Sequence, residues 1–104
     1  MPLTRAFVAF GSNVGDRLGT MQAALRHLTE DGQMRCLKTS PVYENRAVGM
    51  GEAASFLNAV VEFETVLDAE ALLETCLSVE AMLGRERAAS WKPRIIDLDG
   101  LLFG

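Results

Sequence analysis

The sequence Trp-Lys-Pro-Arg-Ile-Ile-Asp-Leu-Asp-Gly-Leu-Leu-Phe at residues 91–103 contains the pattern that decides how this chain folds. Side chains of a β-strand alternate between two faces, so a strand here carries Asp97 and Asp99 on one face and Ile96 and Leu98 on the other. Apolar residues on both sides of the aspartates are typical of a central strand, where unpaired carboxylates are costly. The stretch therefore predicts a buried strand with two neighbouring carboxylates on one face.

Two carboxylates this close resist joint ionisation, and a cation between them relieves the repulsion. Their hard oxygen atoms suit Mg²⁺ or Ca²⁺ better than Zn²⁺. Arg94 precedes the pair and Trp91 lies three residues earlier, which adds an anion-binding guanidinium and a flat apolar surface. Together these groups indicate a site for a phosphate ester of a ring compound. The alternative is a solvated Asp-x-Asp pair without a metal, because such pairs are common on exposed strands.

The size and composition of the chain indicate a single ordered domain. Its 104 residues are enough for one hydrophobic core and not for two, so we expect one domain over residues 1–104. Hydrophobic residues make up 49% of the chain and charged residues 23%, as in ordinary soluble proteins. The net charge of −4 argues against a broad nucleic-acid surface, which would need a basic patch.

The expected location is the cytoplasm. Residues 1–5 lack the apolar run of a signal peptide, and no segment is long enough to span a membrane. Cys36 and Cys76 belong to no Cys-x-x-Cys motif, so we expect both to be small buried side chains in a reducing compartment. The sequence therefore predicts neither a membrane nor a nucleic-acid partner.

The first half of the chain predicts a strand, a helix and a second strand. Residues 5–10 are apolar and predict a buried strand, and the turn-forming residues 11–16 predict a loop. Asp16 can cap a helix whose apolar residues recur at helical spacing until Gly32. Residues 34–43 predict a strand that is at an edge or is interrupted near its end, because it contains a proline.

The second half predicts a loop, a strand, a helix and the aspartate strand. Residues 44–55 show no periodicity and predict a long loop, whereas residues 56–65 alternate again and place Asn58 opposite the apolar side chains. A second helix is expected from a cap at Asp68 to Gly84. Glu80 lies beside the apolar stripe of this helix, and a polar connection leads to the last strand.

The order strand, helix, strand, strand, helix, strand is that of the ferredoxin-like fold. This α+β arrangement has a four-stranded antiparallel sheet with both helices on one face. The first and third strands are then the inner ones, and the aspartate strand lies at an edge beside the first. Asn58, Asp97 and Asp99 are expected on the face that no helix covers.

Six motifs occur in a fixed order along the chain. They are Gly-Ser-Asn-Val-Gly-Asp at 11–16, Pro-Val-Tyr at 41–43, Phe-Leu-Asn-Ala-Val at 56–60, Leu-Leu at 72–73 with Glu80, Gly-Arg-x-Arg at 84–87, and the block at 91–103. In content and order they resemble the motifs of the 6-hydroxymethyl-7,8-dihydropterin pyrophosphokinase family, which transfers diphosphate from ATP to a pterin alcohol in folate biosynthesis. The resemblance covers essentially the whole chain, and its final block is highly specific.

The resemblance implies a catalytic function for four residues. Asp97 and Asp99 would hold two Mg²⁺ ions that bridge the phosphates of ATP. Arg85 and Arg94 would bind the phosphates and stabilise the charge that develops on the leaving AMP. The pterin hydroxyl would attack the β-phosphorus without a covalent enzyme intermediate, so that positioning and electrostatics supply most of the catalysis.

The resemblance also implies two sets of binding residues. In the pterin site, Trp91 and Phe56 would bracket the flat ring and Asn58 would hydrogen-bond to its polar edge. Arg87, in a flexible loop, would join the phosphate-binding arginines on closure. The nucleotide-binding set is Glu80, Arg85, Arg87, Trp91 and Arg94. The substrate-binding set is Asn45, Val48, Phe56, Asn58, Trp91 and Asp97.

The chain also departs from the family pattern. Asn45-Arg46-Ala47 replaces a Thr-Pro-Pro segment in the pterin-side loop, Leu77 replaces a glutamine that faces ATP, and Gly100 replaces a branched aliphatic residue of the nucleotide wall. The family normally continues beyond the position of Gly104 with further strands, helices and phosphate contacts.

These departures leave three hypotheses open. The chain is an active pyrophosphokinase of reduced size, with a homodimer partner that covers the open sheet face. Alternatively, it is a non-catalytic module that binds a nucleotide or a pterin, or it is an incomplete enzyme that needs a partner chain.

Overall fold

A computed structural model describes residues 3–12, 16–46, 55–87 and 96–103. The described residues form five strands and two helices of an α+β fold. In chain order these elements are β1 (Thr4–Ser12), α1 (Arg17–Thr29), β2 (Met34–Thr39), β3 (Tyr43–Arg46), β4 (Ser55–Thr65), α2 (Ala69–Arg87) and β5 (Asp97–Phe103).

The strands form one antiparallel sheet in the order β2-β4-β1-β5, and β3 also pairs with β4. The expected number of four strands is wrong, because residues 34–43 do not form a single strand. β2 ends at Thr39, Pro41 follows, and β3 begins at Tyr43. Proline has no N–H to donate, so the strand is interrupted there and the chain resumes pairing farther along β4. Residues 44–46 and 55, which were predicted as loop, are therefore strand residues, and the rest of the predicted loop lies outside the described residues.

β5 lies at an edge of the sheet, beside β1. The ferredoxin-like order predicts this place, whereas the apolar character of the stretch suggested a central strand. The helices explain why an edge strand is so apolar. Ile96 and Leu98 face the core rather than a second neighbouring strand, and α2 packs against β5.

The core lies between one face of the sheet and both helices, which also contact each other. In β1 and β4 the buried residues alternate with more exposed ones, as the period of two requires, whereas in β2 only Met34 is buried. The strand residues of the core are Ala6, Val8, Phe10, Met34, Ala59, Val61, Phe63, Ile96 and Leu98. The helix residues of the core are Met21, Ala24, Leu28, Leu72, Cys76, Val79 and Leu83.

Both predicted helix caps are present. The Asp16 carboxylate accepts a hydrogen bond from the Gly19 N–H at 3.0 Å, and the Asp68 carboxylate accepts one from Ala71 at 2.8 Å. α2 is longer than expected and continues past Gly84 to Arg87, because Arg and Glu are good helix formers. Within the described residues, neither helix combines the length and the hydropathy that crossing a membrane requires.

The two cysteines have different surroundings. Cys76 is 1% exposed in α2, as expected. Cys36 is exposed in β2, so the prediction that both are buried is wrong. β2 pairs only with β4 among the described strands and is mostly exposed, so its central residues do not reach the core.

Candidate substrate and metal site

The aspartates of β5 lie on the face of the sheet opposite the helices. Asp97 and Asp99 are exposed, whereas Ile96 and Leu98 are only 2% and 7% exposed. The alternation predicted from the sequence is therefore confirmed. Both carboxylates therefore lie on the open face of the sheet, where a ligand could reach them.

A row of four residues crosses the sheet on this face. Tyr43 of β3 is opposite Asn58 of β4, Asn58 is opposite Gly11 of β1, and Gly11 is opposite Asp97 of β5. Residues directly opposite each other in antiparallel strands project from the same face. The register thus places the Asn58 amide on one side of Gly11 and the Asp97 carboxylate on the other.

Gly11 leaves a gap in this row. A Cβ atom at Gly11 would lie 3.2 Å from Asn58 Oδ1 and 3.9 Å from Asp97 Cβ. The glycine therefore keeps the backbone of β1 open between the two polar side chains. The sequence placed Gly11 in a loop, but β1 continues to Ser12, where the side chain is fully buried.

Two more of the predicted substrate-binding residues lie next to this row. Phe56 is half-buried in β4, two residues from Asn58 and therefore on the same face. Asn45 is exposed in β3 and pairs with Phe56. The fold thus brings Asn45, Phe56, Asn58 and Asp97 to one face of the sheet.

Glu80 connects α2 to the aspartate strand. Its Oε2 atom accepts a hydrogen bond of 2.6 Å from the backbone N–H of Leu98. Burial, and to a lesser extent the negative charges of Glu80 and Asp99, raise the pKa of the Cys76 thiol to about 11. Cys76 is therefore a protonated core residue at neutral pH and not a nucleophile.

Residues 7–104 match the family model of 7,8-dihydro-6-hydroxymethylpterin-pyrophosphokinase. This match spans almost the entire chain and includes every residue of the row across the sheet. The chain belongs to this family.

Similar proteins include members of the pyrophosphokinase family from two bacteria. The 2-amino-4-hydroxy-6-hydroxymethyldihydropteridine pyrophosphokinase of Methylorubrum extorquens is 41% identical over 101 residues, which are 97% of this chain and 64% of that protein. The enzyme of the same name from Bacillus subtilis is 42% identical over 98 residues, which are 94% of this chain and 59% of that protein. The chain thus spans about three fifths of the length of these relatives.

A fungal relative is much longer. The folic acid synthesis protein fol1 of Schizosaccharomyces pombe is 39% identical over 98 residues, which are 94% of this chain and 13% of that protein. The pyrophosphokinase-like part therefore also occurs within a larger polypeptide that is named for folic acid synthesis.

Some of the site residues predicted from the pyrophosphokinase motifs lie outside the described residues. These are Val48, Trp91 and Arg94. Arg85 and Arg87 belong to the last turn of α2, and their side chains are also outside the described part. Arg87 was expected in a loop, but the helix extends through it because Gly84 does not end α2.

Two residues of the row, Tyr43 and Gly11, were not predicted as site residues from the sequence. Tyr43 and Gly11 belong to pyrophosphokinase motifs, but the sequence alone gave neither a place beside Asn58. Tyr43 is 57% exposed, and its neighbours in β3 are also exposed, so its ring is accessible on the open face of the sheet. The sequence does contain one signal for the place of Gly11. Ala9 and Gly11 are small residues two positions apart, so they lie on the same face of a strand and leave its backbone accessible.

The donor atoms of the open face fit Mg²⁺. The two aspartates supply only hard carboxylate oxygens, and the described residues contain no group of three His, Cys, Asp or Glu side chains that could enclose an ion. Mg²⁺ typically binds one or two carboxylates and takes its other ligands from phosphate and water. Asp97 and Asp99 are therefore suited to a metal that arrives with a nucleotide.

A shallow depression of about 300 Å³ lies on the same face toward β2. It is lined by Phe7, Lys38, Thr39, Ser40, Pro41, Val60 and Glu62. None of the predicted site residues contributes to it, so it is distinct from the row that contains Asn58 and Asp97.

Proposed function

We propose that the chain catalyses the transfer of diphosphate from ATP to the hydroxymethyl group of 6-hydroxymethyl-7,8-dihydropterin, with release of AMP. The observation that carries this proposal is the row of Asn58, Gly11 and Asp97, with Asp99 two residues farther along β5. It combines a hydrogen-bonding group, an open backbone surface and two carboxylates. A phosphate ester of a flat polar ring requires these features.

The two carboxylates would bind the metal ions. Asp97 and Asp99 would hold two Mg²⁺ ions, since both side chains are exposed on one face. Bound Mg²⁺ neutralises phosphate charge and orients the diphosphate for attack by the pterin hydroxyl. The protein needs only to hold the two oxygen donors in place, because phosphate and water supply the other ligands.

The pterin would lie over Gly11. The missing side chain lets a flat ring approach the β1 backbone, and the Asn58 amide on one side can both donate to and accept from its polar edge. Phe56 lies on the same face of β4 and offers an apolar ring for contact. Asn45, Val48 and Trp91 would complete this pocket.

The phosphates would be bound by arginines. Arg85 and Arg94 match family motifs in which guanidinium groups bind phosphate, and their planar forks suit bidentate contacts. Arg87, Trp91 and Glu80 would belong to the nucleotide side. These assignments are part of the proposal and are supported by the resemblance of the motifs to those of the family.

The proposal also includes the fold type, the oligomeric state and the cellular location of the protein. The ferredoxin-like arrangement is supported by the strand order and by the single core between the sheet and both helices. A homodimer would cover the open face of the sheet. The cytoplasm is the compartment that contains the ATP and Mg²⁺ the reaction uses.

The experiment is an assay of AMP release from Mg²⁺-ATP with and without the pterin alcohol. We expect pterin-dependent AMP from the wild type and a decrease in kcat/KM of at least about 100-fold in Asp97→Asn, because lost metal binding removes several kcal/mol of stabilisation. Glu74→Gln is the matched control, since Glu74 is exposed on α2 away from the row. Its activity should equal that of the wild type.

Two results would contradict the proposal. The first is the absence of AMP at high enzyme concentration with both substrates present. The second is AMP release that does not depend on the pterin or that persists unchanged in Asp97→Asn.

A further inference from the structure

We propose that Glu80 is a positioning residue that fixes the backbone of β5 between the two metal-binding aspartates. This inference rests on the proposed function, because it takes Asp97 and Asp99 as the ligands of the metal. It gives Glu80 a task that differs from contact with the nucleotide. Its carboxylate acts on the aspartates through the strand that carries them.

Glu80 makes a hydrogen bond to the backbone of β5. β5 is an edge strand and pairs with β1 among the described strands, so every second backbone N–H points away from the sheet. The N–H of Leu98 is one of these, and Glu80 Oε2 accepts its hydrogen bond at 2.6 Å. A bond from an amide to a carboxylate is short and about twice as strong as one between neutral groups.

The bonded amide belongs to the part of β5 that carries the two aspartates. Leu98 lies between Asp97 and Asp99, and the peptide plane that contains its nitrogen also contains the Cα atom of Asp97. Because the peptide unit is rigid, holding the nitrogen in place limits the tilt of that plane. The directions in which the two carboxylates leave the strand are therefore limited as well.

α2 approaches β5 closely. A Cβ atom at Gly100 would lie 3.0 Å from Leu72 Cδ2 and 3.7 Å from Cys76 Sγ, so the glycine lets the helix lie close against the strand. Four residues of helix span about 6 Å, and two residues of strand span nearly the same distance. Since Cys76 is next to Gly100, Glu80 comes level with Leu98.

Gly100 therefore has a structural consequence in this chain. From the family pattern, Gly100 was interpreted as the loss of a side chain from the nucleotide wall, and this interpretation stays a prediction. On the core side of β5, the absent side chain brings α2 within reach of the Leu98 amide. The departure from the family pattern and the Glu80 hydrogen bond belong to the same contact between α2 and β5.

The two possible actions of Glu80 predict different results for Glu80→Gln. A glutamine retains an oxygen that accepts the Leu98 hydrogen bond but has no charge. If Glu80 positions the strand, Gln should substitute for it and Ala should not. If Glu80 acts through its charge on the metal or the nucleotide, both substitutions should fail equally.

The test measures Mn²⁺ binding by electron paramagnetic resonance in the presence of a non-hydrolysable ATP analogue. We expect Glu80→Ala to weaken Mn²⁺ binding about tenfold, as loss of outer-shell partners of metal ligands typically does. Glu80→Gln should stay within about threefold of the wild type, since it keeps the acceptor. Glu74→Ala, an exposed glutamate of the same helix, should be unchanged.

A second measurement on the same variants needs neither metal nor turnover. Hydrogen exchange of the Leu98 amide, followed by NMR, should be at least about tenfold faster in Glu80→Ala than in the wild type, because the amide loses its acceptor. It should remain slow in Glu80→Gln and in Glu74→Ala. This measurement shows directly whether the hydrogen bond holds the strand in solution.

The outcomes separate this inference from the proposed function. Unchanged Mn²⁺ binding in Glu80→Ala, equal weakening in Ala and Gln, or unchanged Leu98 exchange in Glu80→Ala would each overturn the positioning function. A wild-type protein that binds no Mn²⁺ with the nucleotide analogue would instead overturn the proposed metal site. Tenfold weaker Mn²⁺ binding in Glu80→Ala, with near wild-type binding in Glu80→Gln, supports both the metal site and its positioning by Glu80.

Discussion

At the scale of single residues, the thiols of this protein show how burial sets chemistry. Cys76 lies in the core and its pKa is raised to about 11, first by desolvation and then by the charges of Glu80 and Asp99. Cys36 is exposed on β2. Cys76 is therefore part of the core, whereas Cys36 is a thiol on the surface.

The raised pKa makes stability depend on pH in the alkaline range. Below about pH 9 the Cys76 thiol is protonated in both the folded and the unfolded chain. Between about 9 and 11 the unfolded chain loses the proton and the folded chain keeps it, so the free energy of unfolding falls as pH rises. The loss should reach about 2 kcal/mol near pH 11.

Urea unfolding at pH 8 and pH 10.5 measures this loss. Other groups titrate in the same range, so the quantity to compare is the difference between the wild type and Cys76→Ala. This difference should shrink by about 2 kcal/mol at the higher pH. Cys36→Ala is the control and should follow the wild type at both values; a constant difference for Cys76→Ala would contradict the assigned pKa.

Two helical glycines should respond oppositely to alanine. Replacing Gly by Ala in a free helix position stabilises by about 1 kcal/mol, and a Cβ at Gly84 would meet nothing within 4 Å. A Cβ at Gly19 would overlap the Asp16 carboxylate, with its Cγ at 2.7 Å, and would displace the cap of α1. Loss of the cap costs about 1 kcal/mol and should cancel the gain.

Urea unfolding of four variants tests this difference. Gly84→Ala should raise the free energy of unfolding by about 1 kcal/mol, and Gly19→Ala should leave it unchanged or lower. In an Asp16→Ala background the obstacle is gone, so Gly19→Ala should then stabilise. Equal stabilisation by Gly19→Ala in both backgrounds would show that the cap does not restrict this position.

At the scale of elements, Thr65 connects three segments at one end of the sheet. It is fully buried at the end of β4, its hydroxyl donates to the Gln33 carbonyl at 2.8 Å, and it accepts from the Leu67 N–H at 3.0 Å. The start of β2, the end of β4 and the approach to α2 thus meet at one side chain. A period-of-two pattern shows that Thr65 is internal but not what it bonds to.

Thr65→Val should lower the free energy of unfolding by about 1 to 3 kcal/mol. Valine has nearly the same shape, but the Leu67 N–H would lose its acceptor and the Gln33 carbonyl would keep only its hydrogen bond from the Val66 N–H. Thr39→Val is the matched control, because Thr39 is exposed on β2 and the change there should stay within about 0.5 kcal/mol. Chemical denaturation measures the free energy of unfolding of both variants. Equal effects at the two sites would contradict a stabilising contribution from the hydrogen bonds of Thr65.

At the scale of the whole molecule, the sheet order determines which backbone is protected. β1 lies between β4 and β5, and β4 lies between β1 and the pair of β2 and β3. The residues of these inner strands that face the helices include Val8 and Phe63, both fully buried. β3 has four residues and pairs only with β4 among the described strands.

Hydrogen exchange followed by NMR should reproduce this order. We expect the amides of Val8 and Phe63 to exchange only through global unfolding, and those of β3 to exchange at least about 100-fold faster through local opening. The physical reason is that inner strands have bonded neighbours on both sides. Similar protection in β3 and β1 would contradict the described sheet order.

How much of the site could be predicted depended on the range of the interaction. Asp97 and Asp99 were assigned to one face from alternation alone, and their exposure confirms it. The partner of Glu80 was not foreseen, because Leu98 lies 18 residues away and only the packing of α2 on β5 brings them together. The split of the predicted second strand was partly visible in Pro41, but the pairing of β3 with β4 was not.

The sequence by itself determined the local properties of this protein. Alternation and helical spacing follow from backbone geometry, so they specified which face of β5 carries the aspartates, where Asp16 and Asp68 cap the helices, and that the chain is α+β. The tertiary structure alone decided the row of Asn58, Gly11 and Asp97 and the contact between Glu80 and Leu98. These depend on register and on distances between elements, which arise only when the whole core packs.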